Sequence, residues 1–221
     1  MFDILDVDCH IIQSNLEHVK FKSVPPARVD VRRTGDIVLT CSVTGSPAPS
    51  VAWYRDDLFV YHEHEAGEAG HSLGETVARL RLSCISAKDV GQYECRASAG
   101  EQQVSAVTQV HVVDWDTSLC QYDNTPEIEL WRPTLMVETG KSIALPCRSS
   151  SLGIVRTWTD TDGRAVDSSG HRDILPNGDL LLTQVSWSDM GEYTCTVSNQ
   201  SGSTSVKSFL YPLATEESRN V

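Results

Sequence analysis

Uninterrupted apolar sequence and positive charge are both scarce in this chain of 221 residues. Nowhere do about twenty apolar residues run together, so no membrane span is encoded. Lys and Arg total 18 against 30 Asp and Glu, a formal net charge of −12. Nucleic acid and anionic membrane surfaces repel such a chain, which argues against both as partners. The acidic residues are scattered and read as a solubilising surface. Catalytic signatures are missing too: there is no Gly-x-Ser-x-Gly elbow, phosphate loop or dinucleotide fingerprint. No pair of the seven cysteines has the Cys-x-x-Cys spacing of zinc or thioredoxin-like sites. Met1 to Asp8 lacks a basic region and breaks its apolar residues with aspartates, so it is no secretion signal. The expectation is a leader that has been removed, replaced or missed.

His62-Glu63-His64-Glu65 is the nearest approach to metal chemistry. A zincin requires His-Glu-x-x-His on a helix, so that two imidazoles share a face. Counted from His62 the second histidine would stand at Ala66, and from His64 at Glu68. The motif fails both ways. The segment reads as a solvated edge and loop, and neither metal nor cofactor is expected. Asp89 and Asp189 read as structural anchors rather than catalytic carboxylates, so the chain is not expected to be an enzyme.

What is present is a duplicated unit. From Asn177 to Cys195 the sequence gives a tight-turn pair (Asn177-Gly178), alternating Leu180 and Leu182, then Asp189-x-Gly191-x-Tyr193-x-Cys195. A tyrosine two residues before a cysteine is the tyrosine corner and second disulfide half of an immunoglobulin-type sandwich. A near copy runs from Leu80 to Cys95, with Asp89, Gly91 and Tyr93 at the same spacing. Trp53 follows Cys41, and Trp158 follows Cys147, at the distance expected of the indole that packs on the inter-sheet disulfide. The fold class is therefore all-β: two tandem immunoglobulin-like sandwiches of the I-set type. The expected organisation is a flexible segment 1–20, a first domain 21–114, a linker 115–125, a second domain 126–212 and a flexible tail 213–221. Glu63 to Glu75 reads as a Gly- and Glu-rich insertion. Ile128 to Trp131 is the expected first strand of domain 2.

Cys41 with Cys95, and Cys147 with Cys195, stand at inter-sheet positions, and such bonds persist only in oxidising compartments. The protein is therefore expected to be secreted and extracellular. Each bond closes a loop of about fifty residues and stabilises by roughly 4 kcal/mol in the chain-entropy account. Cys84 and Cys120 remain. Strand E ends at the pole where strand G exits, so the two can meet and pin the linker to domain 1. The alternative leaves Cys84 a buried thiol and pairs Cys120 with Cys9, itself readable as a free thiol, an intermolecular bridge or an artefact. Asp189 is positioned to pair with Arg172, whereas domain 1 has no arginine in the equivalent place. Asn199-Gln200-Ser201 is a glycosylation sequon at the expected F–G turn.

Gly170-His171-Arg172, Leu175-Pro176-Asn177-Gly178-Asp179-Leu180-Leu181, Trp187-x-Asp189-Met190-Gly191-x-Tyr193-x-Cys195 and the ending Phe209-Leu210-Tyr211-Pro212 carry a narrower likeness. Together with Phe21 and Pro25-Pro26, they resemble the secreted two-immunoglobulin proteins of invertebrates. That family holds the insect insulin-binding imaginal-disc protein and the nematode zwei-Ig proteins. The extra pair Cys84 and Cys120 is similar to the nematode branch. The resemblance covers about residues 18 to 213 and is densest in domain 2. It implies a binding protein whose partner is an insulin-like peptide, as in the insect branch. The other implied role is an interaction with immunoglobulin-type receptors on neurons or cell surfaces that maintains axon and cell position. It carries no ligand-contact residue across.

Overall fold

A computed structural model describes residues 17–62, 72–114, 119–120, 123–168 and 170–214. The first domain is built from β1 (His18–Ser23), β2 (Arg28–Arg32), β3 (Ile37–Ser46), β4 (Ser50–Arg55), β5 (Leu58–His62), β6 (Ser72–Leu82), β7 (Gly91–Ala99) and β8 (Gln102–Asp114). The second comprises β9 (Leu130–Glu138), β10 (Ile143–Leu145), β11 (Cys147–Arg148), β12 (Val155–Thr159), β13 (Ala165–Val166), β14 (Arg172–Ile174), β15 (Leu180–Leu182), β16 (Gly191–Asn199) and β17 (Gly202–Leu213). In β3 and β7 alternate residues turn inward. Leu39, Cys41 and Val43 meet Tyr93, Cys95 and Ala97 across the first core, with Trp53 buried between the sheets. The second core repeats this with Leu145, Cys147, Trp158, Tyr193, Cys195 and Val197. Both sandwiches are all-β immunoglobulin folds.

The sheets are not confined to their domains. One runs β1-β3-β6-β9-β17-β16-β12-β13 and so passes from the first domain into the second. The seam is antiparallel pairing of β6 with β9, from Ser72 opposite Val137 to Ala78 opposite Leu130. Arg79 N–H extends it, donating to the Glu129 carbonyl at 2.6 Å. An ordinary immunoglobulin sheet places strand D beside strand E. Here the first strand of domain 2 stands in that place, hydrogen-bonded to β6.

β9 is suited to the task by a proline. Its first residues pair with β11, and from Thr134 onward it runs parallel to β17. Pro133, which lacks an N–H, falls between these stretches and opposite the irregularity in β6 between Glu75 and Val77. No ladder bond is lost there. Side chains seal the seam. Val77 of domain 1 belongs to the second core, and Leu130 of domain 2 to the first. Burying a leucine such as Leu130 or Leu135 contributes about 2 kcal/mol. Arg132, buried at the seam, donates to Thr76 Oγ1 at 3.3 Å, and Thr76 Oγ1 donates to the Pro49 carbonyl at 2.6 Å.

Several boundaries differ from the sequence expectation. β1 begins at His18, inside the segment expected to be flexible, because it pairs with β3 from Ser46 to Ser42. Ser72 to Glu75 is strand rather than insertion, held by β3 on one side and β9 on the other. The first strand of domain 2 starts at Leu130 and continues to Glu138. Leu213 ends β17, and its carbonyl accepts from Thr139 N–H at 2.9 Å. His64 and most of the acidic insertion lie outside the described residues, as does Cys9.

At Gly74 the seam leaves no room for a side chain. A Cβ there would stand 2.9 Å from the Thr134 carbonyl oxygen, 3.0 Å from Leu135 Cδ1 and 3.2 Å from Ala48 Cβ. Gly74→Val is expected to cost roughly 2 kcal/mol by overpacking and to uncouple the domains. Calorimetry should then show two transitions instead of one, and small-angle scattering a larger radius of gyration. One unchanged transition would show that the seam does not join them.

Candidate functional site

The two tyrosine corners come first, because they orient the face described below. Tyr93 Oη donates to the Asp89 carbonyl and Tyr193 Oη to the Asp189 carbonyl, each at 3.0 Å. Both aspartate side chains turn back to cap a short 3-10 turn. Asp89 accepts from Ser86 N–H at 2.9 Å and Asp189 from Ser186 N–H at 2.9 Å. Asp189 is buried and also takes His171 Nε2 at 2.6 Å and Arg172 Nη2 at 3.3 Å. Burial pushes its pKa up, but the bonds from His171, Ser186 and Arg172 outweigh that and hold it below the ordinary carboxylate value. In domain 1 the bracing arginine comes from another strand. Arg55 of β4 lies 5.7 Å from the Tyr93 ring centre and donates to the Lys88 carbonyl.

Trp53 and Trp158 pack in the cores crossed by Cys41–Cys95 and Cys147–Cys195. The Trp158 Nε1–H donates to the Gly178 carbonyl at 2.9 Å. Cys84 and Cys120 are bonded, with Cα atoms 5.5 Å apart. Further contacts hold the linker and the residues that follow it, up to β9, against both domains. Arg81 bridges Asp36 at 2.9 Å and Glu127 at 2.7 Å, and Thr204 Oγ1 donates to the Pro126 carbonyl at 2.6 Å. The Asn199 amide is part of this set. Its Nδ2 donates to the Asn124 carbonyl at 2.6 Å, so the nitrogen a glycan would occupy is engaged with the linker.

One buried group had escaped sequence reasoning. Asp179 is fully buried, accepts from Arg148 Nη2 at 2.7 Å and Cys147 N–H at 3.2 Å, and is pushed up by burial against the pull of Arg148. Asp179 follows the Asn177-Gly178 turn pair, and nothing local in the sequence marks it as the partner of an arginine 31 residues away. Among the described residues no three His, Cys, Asp or Glu side chains gather as a metal site requires. These groups brace the fold; none is arranged as a nucleophile with its base.

The surface that is left is the outer face of the long sheet. Register places Leu73 opposite Met136 and Met136 beside Tyr211, so one row of side chains crosses the seam. Trp187 meets Tyr211 edge-on at 6.0 Å, and Phe209 stands two residues along the same strand face. Leu73, Tyr211, Phe209 and Trp187 are 37, 38, 41 and 51 % exposed, so an apolar band faces solvent. Its margins are charged: Lys207 pairs with Glu192 at 2.7 Å and Lys22 with Glu75 at 2.6 Å. An apolar, aromatic centre inside a polar rim is the composition of a protein-binding surface. Both domains are needed to make it.

The molecule is a two-domain immunoglobulin-type protein with a composite face across its junction. Residues 21–99 and 125–199 each match the immunoglobulin domain family, and the chain belongs to it. Among its relatives, the zwei Ig domain protein zig-4 of Caenorhabditis elegans is 28% identical over 211 residues, covering 90% of this chain and 82% of that protein. The neural/ectodermal development factor IMP-L2 of Drosophila melanogaster is 27% identical over 214 residues, covering 90% and 78%. The crystal structure of IMP-L2 superposes with a TM-score of 0.81 at 25% identity, across 91% of this chain and 97% of that one. A single superposition of that extent requires the two domains to be placed alike.

The Asp189 network predicts an acid limb in stability. Its folded pKa is depressed, so its contribution is present above the unfolded value near 3.8 and is lost as pH falls through the lower folded value. Asp189→Asn is expected to cost roughly 2–3 kcal/mol at pH 7. Urea melts should show the gap to wild type narrowing below about pH 4. A gap independent of pH would remove the carboxylate charge from the account.

Proposed function

We propose that the protein is a secreted, non-enzymatic binding protein that captures an insulin-like peptide on the face across its domain junction. The observation that carries this reading is the row of exposed Leu73, half-buried Met136 and exposed Tyr211, with Trp187 and Phe209, on a surface fixed by both domains. Shared architecture with IMP-L2 over nearly the whole of both chains supports it. So does the resemblance to the insulin-binding branch. Hormones of that class are small and expose apolar side chains, which suits a shallow apolar band better than a deep pocket.

Calorimetric titration of the disulfide-intact protein with insulin-family peptides tests the reading. Binding at micromolar or tighter affinity is expected, weakened about thirtyfold or more by Tyr211→Asp or Phe209→Asp, as for loss of an interface hot spot. Both side chains are solvent-exposed, so melting temperatures should hold. Absence of binding at micromolar peptide would overturn the hormone assignment.

A second reading assigns the same face to an immunoglobulin-type receptor on neurons or other cells. It is favoured by the name of one relative, a neural/ectodermal development factor. A screen against immunoglobulin ectodomains that scores, with Tyr211→Asp abolishing the signal while hormones fail to bind, would select it.

A further inference from the structure

Away from the junction, apolar exposure concentrates on the hairpin of β4 and β5. Leu58, Phe59 and Val60 are 73, 50 and 42 % exposed and succeed one another in sequence. Three other edge strands carry guards. β1 has Lys20 and Lys22, β2 has Arg28, Asp30 and Arg32, and β14 has Arg172 and Asp173. Those charges deter another chain from pairing. β5 has no charge from Leu58 to Val60. Its register instead shifts between Phe59 and Tyr61, which spoils the edge for ladder extension. A partner is therefore met by side chains and not by added strand.

The hairpin tip is held in a demanding shape. Asp56 and Asp57 have φ of 47° and 62°, a conformation that favours Asn-Gly. Asp56 is fixed there by Gln92 N–H, donating to its carboxylate at 3.0 Å. Asp57 points its carboxylate outward and still reaches Arg96 Nη2 at 2.7 Å. Arg96 lies 4.1 Å above the Tyr54 ring, which Phe59 meets edge-on at 5.9 Å. The tip thus holds a fixed shape, with an aromatic pair and a stacked arginine beside it at the surface.

We propose that this hairpin is a self-association surface on which a second copy of the chain packs about a two-fold axis. The choice of occupant rests on charge. An isologous contact must be complementary to itself. This patch holds both members of an ion pair, so a two-fold axis sets Arg96 of each copy against Asp57 of the other. With Arg55 and Arg96 among Asp56, Asp57 and Glu94 it is also nearly neutral, whereas the chain as a whole carries −12, so two copies meet here without the repulsion of their net charges. The hairpin lies on the sheet β2-β8-β7-β4-β5, separate from the long sheet that bears the junction face. The dimer thus keeps two ligand faces free and would bind clustered ligands with avidity.

Sedimentation velocity up to about 100 μM protein tests the proposal. A concentration-dependent dimer is expected, with Phe59→Asp raising its dissociation constant about tenfold or more. Asp57→Lys and Arg96→Glu should each yield monomers, since each places like charges across the axis. Mixing those two variants should restore a dimer, because Arg96 then meets Asp57 and the introduced lysine meets the introduced glutamate. That rescue also shows both variants to be folded. A wild-type monomer at the highest concentration, a dimer indifferent to all three substitutions, or failure of the mixture to reassociate would overturn it. None of these readouts depends on the hormone, so this proposal and the ligand assignment fail separately.

Discussion

The backbone ladder between β6 and β9 is the constraint on which the rest of the molecule depends. Through it the second domain is an extension of a sheet that the first began, in the place where strand D of an ordinary sandwich stands. A sheet edge is a row of unpaired donors and acceptors, so pairing two edges satisfies both at once. It also sets the angle between domains by strand geometry, where a linker alone would leave them free to rotate. The linker bonds to Cys84, Arg81 and Asn199 follow from that geometry: they join groups that the ladder has already brought near.

The junction face is a consequence of the same ladder. Leu73 lies on domain 1, Tyr211 and Phe209 on domain 2, and Met136 between them on the shared strand. Separated, each domain would expose a fragment too small to serve as the centre of an interface. Joined, they present a band with charged margins whose backbone is hydrogen-bonded on both sides. Little conformational entropy would be lost from the protein on binding the proposed ligand there, and such preorganisation lets a shallow surface reach useful affinity.

Much of the fold was legible in the sequence, because it is written locally. Tyr193 two residues before Cys195, Trp158 after Cys147, and their copies in domain 1 are short-range patterns. The seam was not legible in that way. Paired residues of β6 and β9 stand more than fifty apart in sequence, and β-pairing at that distance leaves no periodic trace. One trace did exist: Gly74 interrupts a strand where another backbone draws close, the usual meaning of an interior strand glycine. Read with the acidic residues before it, it had looked like loop. Arg55 escaped for a related reason, since its equivalence to Arg172 lies in where each side chain ends and not in which strand bears it.

Rigidity at the junction and strain at the β4–β5 turn answer different demands. The junction must present five side chains from three strands and a corner turn in one arrangement, and the ladder, the disulfide and the buried Arg132 all narrow the alternatives. The Asp189 network serves the same end at shorter range, because the 3-10 turn it caps is the one that carries Trp187 to the edge of Tyr211. Loosening that carboxylate would therefore move an aromatic of the apolar band from outside it. The hairpin, by contrast, keeps two aspartates at positive φ where Asn-Gly would be easier, and Asp56 ties the turn to Gln92 of β7. What Asp57 provides is a negative charge 2.7 Å from Arg96, the pair that the proposed two-fold axis would set against its own copy.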